Sequence, residues 1–252
     1  MAINVDTVYQ KVLAIANKEQ RGYITPQEFN LFANQAQHDI FEQYFYDLNQ
    51  FGRARGNDTE YSDMLDMLNE KIAVFNSTSS GLALADPDRN HFLLPNNLYR
   101  LGTVMLGKLQ SPTYTGQTEI EPVLPNELLY LLKSKLTVPT KKRPVYCLKE
   151  GALANANRSI IAVYPVEISG VGTGTVSCTY IRKPNNVKWG YMVVNEKALY
   201  NSNASIDFDL LPSEESDLVV KILSLAGIAI KDSGMYQIAA QEEIKEIQQE
   251  KQ

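Results

Sequence analysis

The sequence predicts an α+β fold with an N-terminal helical bundle, a mid-chain, mostly antiparallel β-region and C-terminal helices. In residues 5–75, apolar side chains recur at spacings of three and four, the period of helices that bury one face. Three short segments, at about 144–149, 159–164 and 175–182, are rich in Val, Ile and Tyr and are typical of strands. After Pro212 the helical period returns, and the first turn there is acidic.

Two shorter helices flank a long one in the N-terminal part. The first is expected from Val5 to Lys18, with Asp6 as its N-cap. The third is expected over residues 59–75, because its apolar side chains again lie three or four positions apart. Together with the long second helix they can close a small antiparallel bundle.

The long second helix has a clear start signal. Thr25 at the N-cap, Pro26 at the first helical position and Glu28 at the third form a capping box. Its end is expected at Gly52, about 26 residues later, which makes roughly 39 Å of helix. We expect its apolar stripe to be buried: Phe29, Phe32, Ala36, Ile40, Tyr44, Leu48 and Phe51.

The middle of the chain alternates between turns and short apolar segments. Residues 76–81, Asn-Ser-Thr-Ser-Ser-Gly, are expected to form a linker, and β-structure is expected around Phe92 and over residues 99–106. A short Leu-rich helix is expected over residues 126–136. Alternation over residues 206–210 favours a half-buried strand. The helix after it is expected to bury Leu218, Val219, Ile222, Leu225, Ala226 and Ala229.

These elements predict three regions along the chain. Residues 1–80 form a helical bundle, and residues 81–204 form a β-rich region with one short helix. Residues 205–252 supply a C-terminal strand and helices that pack back on the bundle.

Composition is that of a globular chain able to bury a core, with 44% hydrophobic and 21% charged residues. No apolar run approaches the roughly 20 residues that cross a bilayer, and the N-terminus lacks the basic and apolar regions of a signal peptide. We therefore expect synthesis in a cytoplasm and no membrane partner. In that reducing compartment Cys147 and Cys178 are expected to be buried thiols, since a disulfide would need adjacent strands and a short Cα separation.

Charge is unevenly distributed along this chain of net charge −5. Basic residues dominate the basic flank, residues 133–188, and acidic residues dominate from Asp207 onward. Such asymmetry suits head-to-tail contact between identical copies, and the alternative is two ordinary solvated faces. The cations of the basic flank are Lys133, Lys135, Lys141, Lys142, Arg143, Lys149, Arg158, Arg182, Lys183 and Lys188.

The residues offer little catalytic machinery. The two histidines, His38 and His91, are not accompanied by a nucleophile elbow or a paired metal-ligand motif. The Gly-rich loop 170–174 lacks the Lys-Ser/Thr of a phosphate loop and precedes a strand, which favours a hairpin tip. The carboxylate pairs at 86–88 and 207–209 suit a turn and a solvated strand face better than a calcium or magnesium site. We therefore assign no catalytic, cofactor or metal residue, and predict that the chain is not an enzyme.

Cations and aromatic rings are mixed in residues 180–191. Arg182 and Lys183 follow Tyr180, and Lys188 precedes Trp189 and Tyr191. Single-strand nucleic-acid binders use such mixtures, but the rings can equally cover the edge of a small sheet. Both interpretations remain open.

The element order over residues 143–240 resembles the C-terminal half of head–tail adaptor (ring or connector) proteins of tailed bacteriophages, of the short-tailed or crAss-like type. Three short strands end at a Tyr-Ile-Arg-Lys-Pro stop, and a Trp-containing loop and an acid-capped helix follow them. The segments that carry the resemblance are Pro144-Val-Tyr-Cys-Leu, Ile160-Ile-Ala-Val-Tyr-Pro, Val176-Ser-Cys-Thr-Tyr-Ile-Arg-Lys-Pro and Ile206-Asp-Phe-Asp-Leu-Leu-Pro-Ser-Glu-Glu.

The resemblance implies a structural virion protein, made in the host cytoplasm, that forms a homo-oligomeric ring of about twelve copies beneath the portal. It implies portal, tail and connector proteins as partners, and passage of double-stranded DNA without sequence specificity. The alternatives are a soluble nucleic-acid-binding module and a phage enzyme with an unrecognised active site. The interface candidates are Lys141, Lys142, Arg143, Arg182, Lys183, Trp189, Glu214, Glu215, Ile244 and Ile247.

Overall fold

The computed structural model describes residues 2–18, 24–53, 59–86, 90–107, 118–151, 158–165, 176–195, 197–229 and 241. The fold is α+β, as predicted. The helices are α1 (Val5–Lys18), α2 (Pro26–Arg53), α3 (Thr59–Ala73), α4 (Pro125–Lys133) and α5 (Glu215–Ala229). The strands are β1 (Asn76–Ser79), β2 (Ala83–Asp86), β3 (His91–Leu93), β4 (Leu98–Leu106), β5 (Thr118–Pro122), β6 (Val145–Gly151), β7 (Arg158–Tyr164), β8 (Val176–Arg182), β9 (Tyr191–Val194) and β10 (Lys197–Tyr200).

The chain divides into two structural units. The helical unit combines residues 1–74 with 184–252, and the sheet unit is residues 75–183. The observed boundaries differ from the expected ones at residues 80 and 204, because β9, β10 and the segment before them belong with the helices. None of the described helices is both long and apolar enough to cross a bilayer.

The starts of α1 and α2 show how local sequence sets the helix boundaries. Asn4, not the expected Asp6, caps α1, because its Oδ1 accepts hydrogen bonds from the backbone amides of Asp6 and Thr7 at 2.9 and 3.1 Å. The capping box of α2 is confirmed. The Thr25 amide donates to Glu28 Oε2 at 2.9 Å, and the Glu28 amide donates to Thr25 Oγ1 at 3.3 Å.

Helix α2 is the centre of the helical unit, and both α3 and α5 pack against it. Most of the expected stripe is buried, whereas Phe32, Leu48 and Phe51 are half-buried. Burial of this stripe removes apolar surface from water, which is the main favourable term in forming the unit. The buried α2 residues among those described are Pro26, Phe29, Ala33, Ala36, Gln37, Ile40, Phe41 and Tyr44.

Three amide side chains on α2 hold an extended segment, residues 185–189, through its backbone. Asn34 Oδ1 accepts from the Val187 amide at 2.8 Å, and Asn34 Nδ2 donates to the Val187 carbonyl at 2.9 Å. Asn30 forms the same pair of bonds with the backbone of Trp189 at 2.7 and 3.4 Å. Gln37 Nε2 donates to the carbonyl of Asn185 at 2.8 Å. The helix thus replaces a neighbouring strand as hydrogen-bond partner.

The sheet unit contains an eight-stranded sheet in the order β1-β8-β4-β5-β6-β7-β3-β2. Its pairs are antiparallel except the β5–β6 pair, which is parallel. The edge strands β1 and β2 are separated by residues 80–82 alone, so the sheet must curl to bring its two edges near each other. One core cluster lies inside it, formed by Leu82, Phe92, Leu94, Val104, Ile120, Tyr146, Ile161, Val163, Val176 and Cys178.

The structure corrects several expectations. Residues 76–79 of the expected linker form edge strand β1, which pairs with β8. The expected strand 206–210 is reduced to two isolated bridges, Ile206 with Lys188 and Phe208 with Ile3, because two different segments pair with it. Strands β2 and β5 and the β9–β10 hairpin were not expected.

Both cysteines are free, buried thiols. Cys147 lies on β6 and Cys178 on β8, and β4 and β5 lie between these strands in the sheet. Burial raises the pKa of the Cys178 thiol from 9.0 to about 11.

Candidate interaction surface

Helix α4 begins at a recognisable start signal in the sequence. Pro125 occupies the first helical position, and the backbone amide of Leu124 donates to Glu127 Oε2 at 3.3 Å. After Lys133 the chain turns, and the amides of Thr137 and Val138 donate to the carbonyl of Ser134 at 3.2 and 3.1 Å. The helix is shorter than the expected 126–136 because this turn takes over its end.

Only one side chain of α4 is buried. Leu128 packs with Val145 and Cys147 of β6, and Val123 and Tyr164 lie against them. Most of the other large apolar side chains of this region face solvent, whereas Val123 and Leu131 are half-buried. Leu136 is 96% exposed and Tyr130 is 73% exposed, which is unusual for side chains of this size. The exposed apolar residues of this α4 surface are Leu124, Leu129, Tyr130, Leu132, Leu136 and Val138.

A groove shares Tyr130 with the α4 surface, and a basic turn follows this surface directly in the sequence. The groove has a volume of about 410 Å³ and is lined by Val123, Glu127, Tyr130, Leu131 and Thr137. The basic turn is residues 140–143, where the amides of Thr140 and Arg143 each donate to the other's carbonyl at 3.2 and 3.0 Å. This pairing holds the exposed Lys141 and Lys142 at the tip of a tight turn.

The structure places two other interface candidates elsewhere in the sheet unit. Arg182 and Lys183 lie at the end of β8, which β4 and β5 separate from β6. The Arg182 guanidinium lies 5.6 Å from the centre of the Phe75 ring, a cation–π contact inside the unit. The described part of the basic flank is therefore divided among several elements, and residues 133–143 include and directly follow the end of α4 in the sequence.

Trp189 is buried at 2% exposure inside the helical unit. Its Nε1 donates to Asp6 Oδ1 at 2.9 Å, and its ring lies 4.4 Å from that of Tyr9, centre to centre. Tyr191 and Tyr200 cover it at 5.8 and 5.9 Å. The ring therefore packs within its own unit, as the packing interpretation of this segment predicts, and it is not presented to a partner.

The acidic candidates at the start of α5 form ion pairs within the helical unit. Glu214 is buried, and its Oε1 lies 2.7 Å from Lys71 Nζ. Glu215 Oε1 lies 2.8 Å from Lys11 Nζ, and both of these side chains are partly exposed. Glu214 therefore stabilises the packing of α3 near the start of α5, whereas the Glu215 pair lies at the surface and contributes little.

The carboxylates of residues 207–209 also have structural partners. Asp207 Oδ1 accepts from the Val5 amide at 3.0 Å, and Asp209 Oδ2 accepts from the Asn185 amide at 2.8 Å. Among the described residues, no group of three or more His, Cys, Asp or Glu side chains is arranged to hold a metal ion. Ile244, Ile247 and the Gly-rich loop 170–174 lie outside the described residues.

The β9–β10 hairpin is a second exposed apolar element. Asn195, with φ of 49°, opens its turn in the left-handed region that this turn requires. At its base, Gly190 is needed because a Cβ there would lie 2.6 Å from the Ala204 carbonyl carbon. Its exposed apolar side chains are Met192, Val193, Val194 and Leu199.

The Leu-rich helix was predicted from the sequence, but the exposure of most of its leucines was not. The available signal was that apolar residues fill consecutive positions from Leu128 to Leu132, whereas a helix of nine residues buries only one face. No protein-family model matches this chain, and no curated protein is significantly similar to it in sequence.

Proposed function

We propose that this chain is a structural virion protein of a tailed bacteriophage, a subunit of an oligomeric ring at the head–tail connector beneath the portal. The observation that carries the proposal is the exposed α4 surface, which places six large apolar side chains in solvent beside a basic turn. Apolar patches of this kind mark sites where proteins bind other proteins. The order of strands, Trp-containing segment and acid-capped helix, which resembles the adaptor proteins, directs the proposal to that class.

In this proposal, apolar contacts supply the affinity between copies and charged groups set their register. A surface that meets a different surface of the next copy closes into a ring when the rotation between copies is right. Exposed ion pairs contribute only about 0–1 kcal/mol each, so the basic turn alone would not hold a ring together. The α4 surface of the sheet unit would supply a contact between copies, and other exposed surfaces would contact portal or tail proteins.

The DNA conduit is the second part of the proposal. Exposed cations outside the basic turn would contact passing phosphates without reading sequence, because phosphate contacts carry no base information. The chain's net charge of −5 opposes tight retention of DNA, which suits a channel through which the genome must pass. No catalytic step is part of this function.

The test is to image the purified chain by negative-stain electron microscopy, alone and after incubation with the portal protein of the same phage. Size-exclusion chromatography with light scattering gives the mass of each species. We expect closed rings of many copies, at least on the portal. A chain that stays monomeric under both conditions and does not bind the portal would refute the proposal.

A further inference from the structure

The α4 surface needs an occupant, because it exposes large apolar side chains beside five cations. Residues 124–143 contain Lys133, Lys135, Lys141, Lys142 and Arg143, against the single carboxylate of Glu127. A fitting occupant therefore has apolar side chains flanked by carboxylates. A purely apolar partner would remove water from these cations without supplying opposite charge, and nucleic acid would not cover the leucines.

The chain's own C-terminal segment has this chemistry. In the tail segment, residues 231–252, the apolar side chains of Tyr236, Ala240, Ile244 and Ile247 are spaced by four, four and three. On a helix this spacing places them on one face. Of the carboxylates beyond residue 240, the same helical period places Glu243 and Glu250 beside that face, whereas Glu242 and Glu246 lie further round the helix.

We propose that the tail segment of one copy docks as an amphipathic helix on the α4 surface of the next copy. This inference rests on the proposed function, since it names the contact by which copies join. Ile244 and Ile247 would contact Leu129, Leu132 and Leu136, and the tail carboxylates would face the basic turn. An apolar helix face laid into an apolar groove is a common mode of peptide recognition.

The second copy is favoured over other partners by the charge match within one sequence. The acidic end and the basic middle of this chain repel their own kind and attract each other, which suppresses wrong pairings. Since each copy carries one tail segment and one α4 surface, the contact is head-to-tail and can propagate around a ring.

The first experiment measures binding of a fluorescent peptide of residues 231–252 to the full-length chain. The receptor carries Ile244→Asp and Ile247→Asp, so that its own tail does not compete. We expect saturable binding by fluorescence anisotropy, weakened at least about tenfold by Leu129→Asp, since central apolar anchors carry most of the affinity of an interface. The triple variant Lys141→Glu, Lys142→Glu, Arg143→Glu should weaken it mainly at low salt, because salt screens exposed charges.

The matched control is Leu31→Asp, which changes an equally helical and exposed leucine of α2. It should leave peptide binding unchanged, and circular dichroism should show that every variant is folded. Absence of saturable binding up to about 1 mM peptide, or equal binding to the Leu129→Asp chain, would overturn the inference.

The second experiment tests that the contact joins two copies. The tail-defective chain (Ile244→Asp, Ile247→Asp) and a surface-defective chain (Leu129→Asp, Leu132→Asp) are mixed at high concentration. Each alone should be monomeric, whereas the mixture should give dimers by sedimentation, because one intact tail and one intact surface remain. A mixture that stays monomeric would overturn docking between copies.

The two proposals fail in different ways. Rings that form on the portal although the peptide does not bind would remove this inference and leave the proposed function standing. Peptide binding and dimer formation without rings or portal binding would leave the contact standing and remove the proposed connector function.

Discussion

At the scale of single residues, hydrogen bonds from amide side chains hold the helical unit together in addition to apolar packing. Asn30, Asn34 and Gln37 lie on one face of α2 and bind the backbone of residues 185–189. They hold the polypeptide that carries the buried Trp189. Because the amides and carbonyls of Val187 and Trp189 would otherwise be buried without these hydrogen bonds, the side chains remove a cost of burial.

We expect Asn34→Ala to lower the free energy of unfolding by about 2–3 kcal/mol, because the buried Val187 amide and carbonyl both lose their partner. Urea denaturation followed by Trp189 fluorescence measures this loss. Gln35→Ala is the control, since Gln35 is exposed and bonds only to the Asp39 side chain within α2. A cost for Asn34→Ala no larger than that of the control would contradict this role.

The buried Cys178 thiol gives a second prediction at this scale. Its pKa of about 11 in the folded chain, against 9.0 ordinarily, means that the folded state favours the protonated thiol. The stability this provides is complete below pH 9 and declines as pH rises towards 11. At pH 8.5 the shift alone should reduce the thiolate fraction by roughly 100-fold and slow alkylation by iodoacetamide accordingly.

Mass spectrometry of the Cys178 peptide, with and without urea, measures the alkylation rate. The urea-unfolded chain is the control, because it exposes the same thiol. If Cys178 were alkylated at the same rate in the folded and unfolded chains, its thiol would be neither buried nor raised in pKa.

At the scale of elements, helices that begin with a complete signal were predictable and strands of small polar residues were not. The bounds of α1 were confirmed, and α2 differs from its prediction only at its C-terminal end. Strands β6 to β8 were confirmed because each contains a run of Val, Ile, Cys or Tyr. Strand β1, Asn-Ser-Thr-Ser, has the composition of a linker. It is a strand because its backbone pairs with β8 at the edge of the sheet.

The capping box of α2 should contribute measurably to stability. Thr25→Ala removes the side-chain acceptor of the Glu28 amide and is expected to cost about 1 kcal/mol. Hydrogen bonds from the backbone amide and hydroxyl of Thr25 also lower the pKa of Glu28. The stability that the Glu28 carboxylate contributes is therefore present above pH 4.5 and is lost as pH falls through the lowered pKa. Urea denaturation at pH 7 and at low pH measures both effects. A cost of Glu28→Gln that is the same at pH 7 and at low pH would contradict the role of the Glu28 carboxylate.

Two neighbouring leucines test the orientation of α4. Leu128 is buried against β6, whereas Leu129 is 60% exposed. Leu128→Ala should cost about 2–4 kcal/mol in the free energy of unfolding, because it leaves a cavity. Leu129→Ala in the monomeric chain should change it by less than about 0.5 kcal/mol, as is usual at the surface. Equal costs, measured by urea denaturation, would show that α4 is turned differently.

At the scale of the whole molecule, the sequence predicted that the chain functions by binding other proteins through its surface. It did not predict that the α4 surface is exposed and apolar. The basic run at residues 141–143 was identified from sequence, and the structure holds it in an exposed turn. Trp189 and Glu214 were expected at an interface and are buried instead, because burial depends on which segments meet in three dimensions. The α4 leucines were predicted to be helical, but which of them face solvent could not be read from the sequence for the same reason.

The central claim is that copies of this chain assemble through the α4 surface, and one measurement tests it directly. Since the chain's two native cysteines are buried, Leu136→Cys adds a single accessible thiol at the most exposed position of that surface. Maleimide labelling is compared between the monomer and the ring assembled on the portal, with Asn203→Cys as an exposed polar control. We predict that Leu136→Cys reacts rapidly in the monomer and at least about tenfold more slowly in the ring, while the control reacts equally in both. Equal reactivity of Leu136→Cys in monomer and ring would contradict the claim.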